Sequence, residues 1–213
     1  MKKIAILALL ALVATGAFAQ GFQMSAGGGA FFDYSFNNGI SGSFSSVDSY
    51  LGIRNLSIGA YGFFDATYVE VGVGISYGSL SLGSEGWGSF VLAMLGGSDD
   101  FGSAVQLDLT LLGKYPIDLG AFTIFPLLGV SYNMVLSHTI DGNSNDSPSD
   151  LNQFGILAGA GLDFNLTDSL YLRGEALFHL RFASKFADDL SGSGWDTTLG
   201  MGPRIRVGVG YRF

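Results

Sequence analysis

The sequence predicts an all-β fold, an eight-stranded antiparallel up-and-down transmembrane β-barrel. Three observations predict it. Eight segments alternate apolar with polar or small residues at a period of two, as strands between lipid and a lumen must. The links between them alternate short and long. The chain is apolar, with a mean hydropathy of +0.39, yet after its N-terminus no run approaches the roughly 18 apolar residues of a membrane helix.

Composition sharpens the class. Charged residues make up 13% of the 213 residues, about half the usual share of a soluble domain. The 33 glycines with only 4 prolines, beside 14% aromatics, do not describe a disordered linker. The absence of cysteine excludes disulfides, thiolate metal sites and a cysteine nucleophile. The formal charge is −8, and no basic patch suits a nucleic acid.

The chain begins with an export signal. Lys2 and Lys3 precede an apolar stretch, Ile4 to Val13, and Ala17-Phe18-Ala19 forms a small-residue cleavage site before Gln20. Residues 1–19 are therefore expected to be removed and 20–213 to form the barrel. Cleavage removes two lysines and no acid, leaving the mature chain two charges more negative.

The strands follow in order. In 22–35, Phe22, Met24, Ala26, Gly28, Ala30, Phe32 and Tyr34 share the lipid face and Gln23, Ser25, Gly27, Gly29 and Asp33 the lumenal one, with Phe31 a misfit. Segment 51–63 is less regular, with Leu56, Ile58 and Ala60 outward. In 67–79, Val69, Val71, Val73, Ile75 and Tyr77 oppose Glu70, Gly72, Gly74 and Ser76. In 104–115, Val105, Leu107, Leu109 and Leu111 oppose Gln106, Asp108, Thr110 and Lys114. In 122–136, Leu128, Val130, Tyr132, Met134 and Leu136 point outward. In 153–164, Phe154, Ile156, Ala158, Ala160, Leu162 and Phe164 oppose Gly155, Gly159, Gly161 and Asp163. In 170–182, Leu170, Leu172, Ala176, Phe178, Leu180 and Phe182 oppose Tyr171, Arg173, Glu175, His179 and Arg181. In 199–213, Ile205, Val207, Val209, Tyr211 and Phe213 oppose Arg204, Arg206, Gly208, Gly210 and Arg212.

Short links fall at 64–66, 116–120 and 165–169, and long ones at about 36–50, 80–103, 137–152 and 183–198. Short periplasmic turns and long outer loops are the rule in bacterial barrels. An apolar patch in the second loop, Phe90 to Leu95, could be a further strand, but a ninth crossing would put the proline turn on the wrong side. A soluble β-sandwich or lipocalin-like barrel is the alternative. It is disfavoured because the polar face is rich in glycine, which cannot supply a charged surface. Aromatics also gather near strand ends like an interfacial girdle: Phe22, Phe64, Tyr115, Phe122, Phe164 and Tyr211 at one end, Tyr34, Tyr77, Phe154 and Phe182 at the other.

The closing stretch Arg204 to Phe213, with Val209, Tyr211 and Phe213 at every second place, resembles the C-terminal strand of outer-membrane proteins. With the eight segments it resembles small barrels of the OmpA/OmpX-like superfamily. The resemblance implies residence in the outer membrane, contact with its lipid, and recognition of Val209, Tyr211 and Phe213 by the barrel-assembly machinery. It implies no activity, and no peptidoglycan-binding domain is matched.

Eight strands enclose a lumen just wide enough for side chains to fill. The lumenal charges are Glu70, Asp108, Asp163 and Glu175 against Lys114, Arg173, Arg181, Arg204 and Arg206, with His179 beside them. Unpaired charges there cost several kcal/mol, so a salt-bridged plug is expected, with Glu70 and Glu175 paired to arginines and long polar side chains lying across glycine-lined walls. A serine–histidine–acid hydrolase was weighed for His179 and His138, neither of which lies in a recognisable motif. Asp141 to Asp146 resembles a calcium loop but has Asp146 where glycine is needed and Asn152 where glutamate is needed. No catalytic, metal or cofactor site is therefore expected.

The loops are acidic, through Glu85, Asp99, Asp100, Asp188, Asp189 and Asp196, which suits solubility or a host or environmental ligand. The expected role is a non-enzymatic membrane protein with a structural or adhesin-like function. The alternative is a narrow channel for ions or a small hydrophobic molecule.

Overall fold

The computed structural model describes residues 23–44, 47–83, 100–140, 143–144, 152–182, 196–197 and 200–213. The export signal, Phe22, the patch Phe90 to Leu95 and most of the acidic loop residues lie outside these. Eight long strands dominate: β1 (Met24–Phe44), β2 (Val47–Ala66), β3 (Val69–Gly83), β4 (Asp100–Lys114), β5 (Phe122–Ile140), β6 (Gln153–Asn165), β7 (Leu170–Arg181) and β8 (Gly200–Arg212). Each pairs antiparallel with its sequence neighbours, and β1 pairs with both β2 and β8, for example Ser25 with Asp65 and Arg212. The sheet therefore closes on itself and leaves no edge within the barrel wall.

Period-two alternation places the two faces. Val71, Leu128 and Val207 are 48%, 65% and 56% exposed, whereas Glu70 and Arg204, one position out of phase with them on β3 and β8, are 0% and 1% exposed. A soluble β-protein would show the reverse, apolar rows inside and charged rows outside. At the short-turn end Phe64, Tyr115, Phe122, Phe164 and Tyr211 are exposed, and at the other end Tyr77, Phe154 and Phe182. Phe122 and Phe164 approach to 5.1 Å and Phe154 stacks on Phe182 at 5.9 Å. Tyr34 is buried instead, so it does not belong to the outer girdle.

The expected loop 36–50 needs correction. Most of it is paired strand, with Ser41 opposite Tyr50 and Phe44 opposite Val47. A tilted membrane strand needs about 9–11 residues, so the 21 residues of β1 and 20 of β2 run well beyond the bilayer. Glycine, serine and asparagine suggested a loop there, but Phe36, Ile40, Phe44, Val47 and Tyr50 suit a strand, and a hairpin keeps pairing wherever both strands continue. β3 and β5 likewise reach Gly83 and Ile140, inside the segments expected as the second and third loops.

The short turns are tightly held. Thr67, in the left-handed region at φ 51°, accepts from the Gln23 amide and donates to the Gln23 carbonyl, both at 2.9 Å. In the β4–β5 link Asp118 accepts from the Gly120 amide at 2.8 Å, and Gly120 adopts φ 84°, which glycine permits without strain. A register shift between Val105 and Gln106 leaves β5 one extra residue there. Downstream of it the inward phase of β5 moves, so that His138 is buried with Ser131 and Asn133.

Candidate functional site in the barrel lumen

All ten charged or titratable residues expected in the lumen point there: Glu70, Asp108, Asp163, Arg173, Glu175, His179, Arg181, Arg204 and Arg206 are buried, and the Lys114 side chain is 5% exposed. They sort into two tiers. Near the short turns Arg173 is the hub. Its Nη1 donates to Glu70 at 2.6 Å, its Nε and Nη2 form a fork on Asp163 at 2.8 and 2.9 Å, and Nη2 also reaches Asp65 at 2.8 Å. Lys114 pairs with Asp65 as well. Arg206 lies 3.3 Å from Glu70 and 3.4 Å from Glu175, and donates to Thr110 at 3.2 Å.

Towards the long loops the hub is an acid. Asp33 lies 2.5 Å from Arg204, 2.8 Å from Arg181 and 3.3 Å from His179. Arg204 also pairs with Asp108 at 2.8 Å, and Asp108 accepts from Ser76 and Asn133. Arg204 and Arg206 are successive inward residues of β8, so one strand delivers a cation to each tier.

The packing rests on rings set against glycines. Phe31 is opposite Gly59, Phe63 opposite Gly27, Phe125 opposite Gly161 and Tyr171 opposite Gly210. A Cβ on any of these glycines would strike the ring across from it. Only glycine leaves room for a side chain to lie flat along the wall. The rings in turn carry cations. The Arg173 guanidinium sits 4.5 Å from the centre of Phe63, and Arg204 sits 5.1 Å from Phe31. Leu112, Phe125, Leu127, Leu157 and Leu177 form an apolar cluster in the same lumen, so polar side chains do not fill it alone.

The fold brings together a constellation that the sequence did not announce. Ser131 Oγ is 2.8 Å from His179 Nε2, and His179 Nδ1 is 3.3 Å from Asp33. This is the connectivity of a hydrolase triad. Two observations set it apart from one. Arg181 Nε donates to the same His179 Nδ1 at 3.2 Å, which fixes the ring proton on Nε2 and leaves Ser131 without a base. Ser131, His179 and Asp33 are also no more than 1% exposed. His138 is not part of this group's contacts. Among the described residues no three His, Cys, Asp or Glu side chains converge as metal ligands do.

At the short-turn end the lumen opens into a vestibule of about 350 Å³, lined by Gln23, Asp65, Lys114, Asp163, Asn165 and Arg212 among others. Arg212 stacks 4.4 Å over Tyr171, and its nearest carboxylate, Asp163, is 3.9 Å away.

Asp33, Asp65 and Arg212 belong to the ion-pair network and were missing from the expected set. Asp33 and Arg212 had been placed on the polar face but left out of the charge count. Asp65 had been read as part of a link, although it continues the inward row Tyr61, Phe63 of β2. Val209, Tyr211 and Phe213 lie on the outer face, exposed.

The family model for the outer membrane protein beta-barrel domain matches residues 5–213. Among solved structures the chain is similar to the outer membrane protein OprG from Pseudomonas aeruginosa, at 15% identity and TM-score 0.49, over 91% of this chain and 96% of that one. It is also similar to Neisserial surface protein A, at 10% identity and TM-score 0.49, over 91% and 98%. Similarity to the E. coli Outer Membrane Protein W is 14% in identity with TM-score 0.45, over 91% and 98%. No curated protein sequence matches the chain.

Proposed function

Since this chain belongs to the outer membrane protein β-barrel domain family and is integral to the outer membrane, we propose that its barrel is a non-conducting anchor that holds extracellular loops for a structural or surface-binding role. The observation that carries this reading is the cross-lumen ion-pair network. Six carboxylates (Asp33, Asp65, Glu70, Asp108, Asp163, Glu175) and six cations (Lys114, Arg173, Arg181, Arg204, Arg206, Arg212) interlock across the lumen at two levels. Charges held that way offer a permeating ion no free partner, and parting them in a low-dielectric lumen costs several kcal/mol. The acidic loops are the surface offered to a host or environmental ligand. The barrel-assembly machinery is the partner for Val209, Tyr211 and Phe213. Catalysis has no part in this role.

Single-channel recording of the refolded barrel in planar bilayers tests the reading against the narrow channel. We expect brief or absent openings; a long-lived open state of large conductance overturns the anchor. Loops and barrel then separate. Deleting loop residues abolishes surface attachment and leaves the bilayer recording unchanged.

A further inference from the structure

The vestibule differs from the lumen above it in what its polar groups leave unused. Asp163 is claimed by the Arg173 fork, and Asp65 by Arg173 and Lys114. Asp118 accepts from the Gly120 amide. Spare capacity lies with the donors. A guanidinium carries five N–H groups in a planar fork, and that of Arg212, with its side chain 15% exposed, has only the 3.9 Å approach to Asp163 among the described residues. The Tyr171 ring beneath fixes its plane. Lys114 has three donors and one partner, Asp65.

One acceptor is also unused. The Asn165 amide nitrogen holds the Gly120 carbonyl at 3.0 Å, while Asn165 Oδ1 is buried with no hydrogen-bond partner. A flat cation and a lone amide acceptor on one cavity wall match a peptide end, whose carboxylate suits the fork and whose N–H suits Asn165. An inorganic anion would use the first and leave the second. The 350 Å³ vestibule falls in the size range of small-ligand clefts. It faces the periplasm because short turns do so in bacterial barrels.

We propose that the vestibule binds the terminal carboxylate of a short peptide, with Arg212 gripping the carboxylate and Asn165 Oδ1 accepting the adjacent amide N–H. The peptide could be free in the periplasm or belong to the cell wall. The proposal stands whether or not the barrel conducts.

Calorimetric titration of the refolded barrel in detergent with acetyl-alanyl-alanine and with its C-terminal amide tests the grip. We expect saturable binding of the acid and at least tenfold weaker binding of the amide. Arg212→Gln should lose at least tenfold for the acid while keeping the wild-type migration of the folded, unboiled protein on gels. Arg212→Lys, which keeps charge but not the fork, should fall between them. Equal affinity for acid and amide, undiminished binding by Arg212→Gln, or no saturable binding at low millimolar peptide overturns the proposal. Co-sedimentation with purified wall sacculi, present for wild type and lost in Arg212→Gln, assigns the peptide to the wall; binding of soluble peptide alone assigns it to the free pool.

Discussion

The two tiers of the lumen are built with opposite polarity. Near the periplasm one arginine, Arg173, gathers Asp65, Glu70 and Asp163 from β2, β3 and β6. Towards the loops one aspartate, Asp33, gathers Arg181, Arg204 and His179 from β7 and β8. The hubs are therefore not equally replaceable. A guanidinium can bind several carboxylates at once because its five donors diverge in a plane, and no other residue at position 173 could reach three. Around Asp33 the satellites have other partners: Arg204 has Asp108, Arg181 has Ser35, and His179 has Ser131. A cation-centred tier depends on its hub, whereas the anion-centred one shares its load.

Arg173→Met breaks the first tier and carries the largest expected effect. It leaves buried carboxylates at 65, 70 and 163 facing Lys114 and Arg206 alone. Removing one partner of a buried ionic cluster costs about 3–5 kcal/mol, and this hub serves three. In urea titrations followed by gel mobility, the unfolding midpoint of the variant in lipid vesicles should drop by that amount, with the loss easing at acidic pH as the stranded carboxylates protonate. A drop below that of any single carboxylate-to-amide change in the tier would show that Arg173 is not a hub.

Much of this arrangement was legible in the sequence, and the gaps have physical causes. Lipid and lumen demand opposite chemistry on alternate residues, so parity alone placed Arg173, Glu175, His179 and Arg181 on one face of β7. Parity failed on β2, where the inward residues Tyr61 and Phe63 are as apolar as the outward Ile58 and Phe64. Phe31 looked like a misfit for the same reason. The signal that could have resolved it was glycine on the neighbouring strand, since Gly59 and Gly27 make room for those rings. The meeting of Ser131, His179 and Asp33 was beyond parity altogether. It depends on how β5, β7 and β1 are staggered around the closed wall.

Asp33→Asn sharpens the contrast from the other side. The amide keeps an acceptor for Arg204 and cannot neutralise it, yet Asp108 and Ser35 still hold the two arginines. Losing hydrogen bonds of charged groups costs about 2–3 kcal/mol. The urea midpoint should fall by less than in Arg173→Met, and the same gel titration ranks the two directly. If Asp33→Asn were the more damaging, the load-sharing view of that tier would be wrong.

The smallest effect probes what lies beneath the Arg173 hub. A methyl group at Gly161 would meet only the ring of Phe125, so Gly161→Ala forces that ring to tilt without touching the backbone ladder. Phe125 supports both the Lys114 ammonium at 4.7 Å and the Arg173 guanidinium at 5.1 Å, so the tilt is passed to the ion pairs rather than absorbed by lipid. Overpacking of this kind costs about 1 kcal/mol at its mildest. The decisive comparison is a double mutant. Once Arg173 is methionine there is no hub left to disturb, so Gly161→Ala should cost less in that background than in the wild type. Equal costs in both backgrounds would mean that the ring and the hub are neighbours without being coupled.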